Sequence, residues 1–94
     1  MAFNDLNEKV RGAIRTYNKF RSPEVIAELV ETDEHNRTFT ILFKGTFCRT
    51  CGFYDYFEDF AYDFLDETRF QTTILKVDED WDTESFKVTY ALQE

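Results

Sequence analysis

Among the 94 residues, one run has a spacing that could do chemistry: TFCRTCGF, Thr46 to Phe53, which sets Cys48 and Cys51 as a C-x-x-C pair followed by Gly52. Such a pair is open to three readings. At a helix N-terminus, free backbone N–H groups lower a thiolate pKa and favour redox chemistry; here Arg49 helps, and Asp55 and Glu58 oppose. As metal ligands, the two thiols supply half of the four donors that tetrahedral zinc needs. A second C-x-x-C is absent, and His35 is the only imidazole. The site would have to be completed by carboxylates or by Cys48 and Cys51 of a second subunit. As packing groups, they are two small apolar thiols at a strand-to-helix corner.

A second candidate is the acidic stretch Asp78 to Glu84, whose Asp78, Asp80, Asp82 and Glu84 begin with the spacing of a calcium loop. It departs from that pattern at once, because Thr83 stands where the loop needs glycine and Thr89 where it needs a bidentate glutamate. A charged hairpin that blunts a sheet edge accounts for the same residues. Tyr54, Tyr56 and Tyr62 sit among acids, whereas stacking on nucleic acid needs cations beside the rings. They either widen a buried face or form a protein interface with Asp55, Glu58, Asp59, Asp63 and the hairpin Trp81. Ser22 and Ser85 lack a nucleophile-elbow context, and Gly12, Gly45 and Gly52 cannot make a phosphate-cradling loop. No catalytic residue is assigned, and no cofactor is expected beyond the zinc alternative.

Composition agrees with an interaction role. A chain this short forms one domain without room for a large enzyme scaffold, and with 18% aromatic residues its core must be built largely of rings. Net charge -8 repels phosphate backbones and anionic headgroups, so neither nucleic acid nor membrane is the expected partner. The opening residues MAFNDLNEKV carry no apolar leader core, so a cytoplasmic location is expected, where cysteines remain reduced.

The elements that must position these residues follow from periodicity. Phe3, Leu6, Val10, Ala13, Ile14, Tyr17 and Phe20 repeat every three or four residues and predict a helix, capped near Asn4 or Asp5 and ended by Ser22-Pro23. Val25–Glu31 and Thr38–Lys44 read as strands around the loop Asp33–Arg37, with Phe39, Ile41 and Phe43 turned inward. A second helix spans about Phe53 to Glu67, burying Phe53, Phe57, Phe60, Ala61, Phe64 and Leu65. Two further strands, Phe70–Val77 and Ser85–Leu92, follow, the last with Phe86, Val88, Tyr90 and Leu92 inward.

The order helix, strand, strand occurs twice, and an offset of 47 residues, half the chain, lays one half on the other. Leu6, Val10, Ala13, Ile14 and Tyr17 fall on Phe53, Phe57, Phe60, Ala61 and Phe64. Phe39, Ile41 and Phe43 fall on Phe86, Val88 and Tyr90. Units 1–47 and 48–94 then share one core, giving an α+β fold of two layers: a four-stranded antiparallel sheet with both helices on one face. Charge divides unequally between them. Residues 1–47 hold 7 basic and 7 acidic side chains, whereas residues 48–94 hold 4 and 12.

At Cys48 and Cys51 the motif resembles those of thioredoxin-like oxidoreductases, and with Gly52 it is similar to the knuckle of rubredoxins and zinc ribbons. In element order the whole chain resembles small uncharacterised archaeal αββαββ proteins and, more distantly, acidic two-layer secretion chaperones; no functional residue carries over from either. The function expected is a small acidic, non-enzymatic module that binds another protein, a basic one by charge, or a second copy of itself. Its surface is assigned to Tyr54, Asp55, Glu58, Asp59, Tyr62, Asp63 and Trp81. The alternatives are a thiol-redox or zinc protein and a chaperone-like homodimer.

Overall fold

The computed structural model describes residues 6–21, 25–45, 54–80 and 82–93. Its elements are α1 (Leu6–Arg21), β1 (Val25–Asp33), β2 (Thr38–Gly45), α2 (Tyr54–Thr68), β3 (Thr72–Asp80) and β4 (Ser85–Leu92). The strands form one antiparallel sheet in the order β1-β2-β4-β3, so the two hairpins meet through their second strands and β1 and β3 are the edges. This is the expected α+β architecture. Among the described residues, no helix is long and apolar enough to cross a membrane.

The alternation of β2 and β4 drives the packing. Phe39, Ile41, Phe43, Phe86, Val88 and Tyr90 are all buried on the sheet face that the helices cover. Leu6, Val10, Ala13 and Tyr17 of α1 and Phe57, Phe60 and Phe64 of α2 close the core from above. Phe60 sits among rings, with centroids 5.6 Å from Tyr17, 6.0 Å from Phe43 and 5.5 Å from Tyr90. Two phenols are satisfied by helix backbone, since Tyr17 Oη donates to the Tyr56 carbonyl at 2.9 Å and Tyr90 Oη to that of Phe57 at 2.7 Å.

Positions 47 residues apart take matching places. Ile41 pairs with Val88 at the middle of the sheet. Arg37 and Glu84, which end the hairpin loops, both adopt left-handed backbone, with φ of 60° and 54°. Asp33 Oδ1 accepts from the Asn36 N–H, and Asp80 Oδ1 from the Thr83 N–H. The Arg37 carbonyl accepts from Leu92 N–H, as that of Glu84 does from Gly45 N–H.

The structure shifts several sequence expectations. Phe20, placed on the buried stripe of α1, is 71% exposed. It lies beyond Tyr17, which already meets the first turns of α2, and its ring instead faces Lys19 Nζ at 5.8 Å. Strands β1 and β3 extend further into their hairpins than expected, to Asp33 and Asp80, because those aspartates pair with Thr38 and Ser85 and brace the turns. Both edge strands carry a register shift, between Leu29 and Glu31 in β1 and between Ile74 and Lys76 in β3. The extra residue leaves two consecutive side chains outward in each strand, Val30 with Glu31 and Leu75 with Lys76, and Val30 and Leu75 are 44% and 59% exposed.

Candidate functional site

The residues expected to bind a partner divide into two sets along α2. Asp59 and Asp63 face α1, where the guanidinium of Arg21 reaches Asp63 Oδ2 at 3.1 Å and Asp59 Oδ2 at 3.4 Å. The same guanidinium lies 4.4 Å from the centre of the Tyr17 ring, so the last residue of α1 ties three groups together. Burial pushes the Asp63 carboxyl above its ordinary range, and Arg21 only partly offsets this. Burial also raises the Tyr17 phenol, which stays protonated and able to donate to Tyr56. A further tie between the helices joins Thr16 Oγ1 to Glu67.

Asp55, Glu58 and Tyr62 occupy the other side of α2 and are exposed, Tyr62 to 64%. Their spacing of three and four residues makes one helical stripe, which Leu65 continues. Tyr54 opens α2, but its side chain lies outside the described residues, as do Trp81, Cys48 and Cys51. Among the described residues, no three His, Cys, Asp or Glu side chains gather as a metal ion would require. Asp78 and Asp80 are built into β3, where Asp78 lies 3.6 Å from Lys76 Nζ and Asp80 braces the turn. His35 is exposed in the first hairpin.

Beside that stripe runs a groove that the sequence did not announce. It consists of two adjoining depressions between α2 and β3. One, about 200 Å³, is lined by Ala61, Tyr62, Leu65, Gln71, Thr72 and Gln93. The other, about 300 Å³, adds Glu58 and Ile74. The groove exists because α2 barely meets β3, in contrast to α1, which lies closely along β1. Correspondingly, β1 buries Val25 and Ala27 completely, while β3 contributes no fully buried side chain. Thr72 Oγ1, in the groove wall, is shielded from solvent and makes no hydrogen bond among the described residues.

The two sheet edges end differently. On β1, the Asn18 side chain of α1 reaches over the edge: its Oδ1 accepts from the Ala27 N–H at 2.8 Å and its Nδ2 donates to the Ala27 carbonyl at 3.0 Å. One amide thereby stands in for the neighbouring strand that β1 lacks. The matching residues in the second half are Leu65 and Ile74, and Leu65 has no polar atom with which to do the same.

Which way Ile74 points follows from the ladder. In β4, Leu92 N–H turns to the Arg37 carbonyl beside β2, and Gln93 N–H to the Gln71 carbonyl beside β3. Alternate residues face alternate neighbours, so Tyr90 faces β2, and Ile74, its partner on β3, presents its N–H and C=O to the open edge. Among the described residues, no hydrogen bond reaches them. Comparison of the chain with family models, with curated proteins and with solved structures finds no match.

Proposed function

We propose that this protein is a non-enzymatic interaction module that presents the outer side of α2, with Asp55, Glu58 and Tyr62, and the groove beside it to a basic partner protein. The observation that supports this most directly is Tyr62, a large amphipathic ring left 64% exposed at the lip of a groove whose walls include Ala61, Leu65 and Ile74. Aromatic rings are enriched in protein interfaces, where they serve as anchors once a partner covers them. Charge supports the same side, because residues 48–94 carry the whole net charge of -8 and such a field speeds encounter with a cationic surface. Asp59 and Asp63 contribute differently, by holding α2 to Arg21 and so fixing the orientation of the stripe.

The test separates location from overall charge. Asp55→Lys with Glu58→Lys is expected to weaken binding of an isolated partner by about tenfold or more, a loss typical of a removed interfacial charge pair. Glu28→Lys with Glu31→Lys changes net charge equally, but on the opposite edge strand, and is expected to have little effect. Equal losses from the two pairs would show a diffuse charge effect and would sink the assignment of this surface.

A further inference from the structure

The open edge of β3 and the groove beside it have the form of a receptor for one more strand. From the geometry we infer that this protein binds its partner by strand addition: an extended basic segment pairs with the main chain of β3 at Ile74 and lays its apolar side chains into the groove under Tyr62. This deepens the proposed function and rests on it.

Three observations carry the inference. Ile74 N–H and C=O face outward with no partner among the described residues, whereas the matching groups of Ala27 are already held by Asn18. An added strand gains main-chain hydrogen bonds at such an edge and places alternate side chains on the two sheet faces. Those on the helix-side face meet Ala61, the Tyr62 ring, Leu65 and the Thr72 methyl, with Glu58, Gln71 and Gln93 completing the lining, a mixed wall whose apolar part suits valine, leucine or alanine. Within that wall Thr72 Oγ1 is shielded and has no hydrogen-bond partner among the described residues, an imperfection in the packing on this side of the sheet.

Charge selects the occupant. Glu58 stands in the lining and Asp55 one turn earlier, both exposed. A lysine or arginine on the added segment meets complementary carboxylates. A second copy of this chain would instead bring another strand ending in Asp78, Glu79 and Asp80, from a protein that itself carries -8. The register shift at Leu75 bends β3 beyond Ile74 and confines regular pairing to its first residues, Thr72 to Ile74. The segment recognised is therefore short.

The experiment uses the full chain and a short labelled peptide alternating valine and lysine. Two further peptides carry N-methyl groups on alternate residues, one set on each edge of the extended peptide. Strand addition predicts that one methylated peptide binds about tenfold or more weakly and the other is nearly unaffected, because only one edge pairs with β3. It also predicts slowed amide exchange at Ile74 on binding. Ile74→Pro deletes the outward N–H without removing a ladder bond and is expected to abolish binding; Leu65→Asn, which replaces an apolar side chain of the groove wall by a polar amide, is expected to weaken it.

Should both methylated peptides bind as well as the parent, while Asp55→Lys with Glu58→Lys still weakens binding, the acidic surface would stand and strand addition would be overturned. No binding by any of the basic peptides would also overturn it. Concentration-dependent dimerisation that Ile74→Pro removes would assign the edge to a second copy, contradicting a basic partner.

Discussion

Arg21 shows how much one side chain can organise. Its guanidinium meets Asp59, Asp63 and the Tyr17 ring, about a quarter of it remaining exposed to water. Partly exposed ion pairs contribute modestly, and a cation over a ring adds a comparable amount, so Arg21→Ala should cost about 1–2 kcal/mol in denaturant unfolding at neutral pH. The pH dependence has a definite sign. The Asp63 carboxyl is raised in the folded state, chiefly by burial, so its ionised form costs stability above its folded pKa, and that cost fades as pH falls towards the ordinary aspartate value. Arg21 opposes the shift, so removing it raises the carboxyl further and widens the pH range over which acidification restores stability. Arg21→Ala should therefore recover part of its loss on moving from neutral pH to mildly acidic pH. Adding Asp63→Asn should flatten that recovery, and a recovery undiminished by the second substitution would mean that another group titrates. Asn18 is instructive in a different way. In sequence it is one polar residue on the flank of a helix, and its part in closing β1 depends on Ala27 arriving beneath it, which no local pattern encodes.

At the scale of elements, the helices and the two central strands were legible because each has a single periodicity that one buried face enforces. Phe39, Ile41 and Phe43 alternate, Phe57, Phe60 and Phe64 recur at helical spacing, and all six are buried. The edge strands were less legible. A one-residue register shift at Val30 or Leu75 leaves no compositional trace, yet it reverses which side chains face the core. The shifts also occur at different points: Val30 lies 47 residues before Val77, not before Leu75. Equal residue spacing in the two halves thus conceals unequal edges. The interior of α1 offers a test of helix packing through Gly12. A methyl group there would lie 3.4 Å from the flexible Glu67 carboxylate, an ordinary contact, so Gly12→Ala should stabilise the protein by about 0.5–1 kcal/mol by reducing the freedom of the unfolded chain. A rise in thermal midpoint with no change in the core near-ultraviolet spectrum would support this, and a fall would mean that the helices pack more tightly at Gly12 than described.

On the scale of the whole molecule, two helix-strand-strand units share one aromatic core but finish their outer edges differently. The first unit lays α1 against β1 and occupies the edge at Ala27 with Asn18; the second holds α2 away from β3 and leaves the Ile74 main chain facing outward beside a groove. The same unit carries the entire net charge. Neither the groove nor the edge could be found from residue types, because both are gaps between elements and depend on how far apart α2 and β3 settle. The acidic, aromatic stripe at Asp55, Glu58 and Tyr62 was visible in sequence, and the fold adds the depression beside it. The difference between the edges is open to measurement in the free protein by residue-resolved amide hydrogen exchange, which compares Ala27 with Ile74 directly. The Ala27 amide, bonded to Asn18 Oδ1, should exchange much more slowly than the Ile74 amide, and Asn18→Leu should accelerate exchange at Ala27 alone. Equal protection of Ile74 and Ala27 in the unmodified protein would mean that both edges are closed, and would contradict the account.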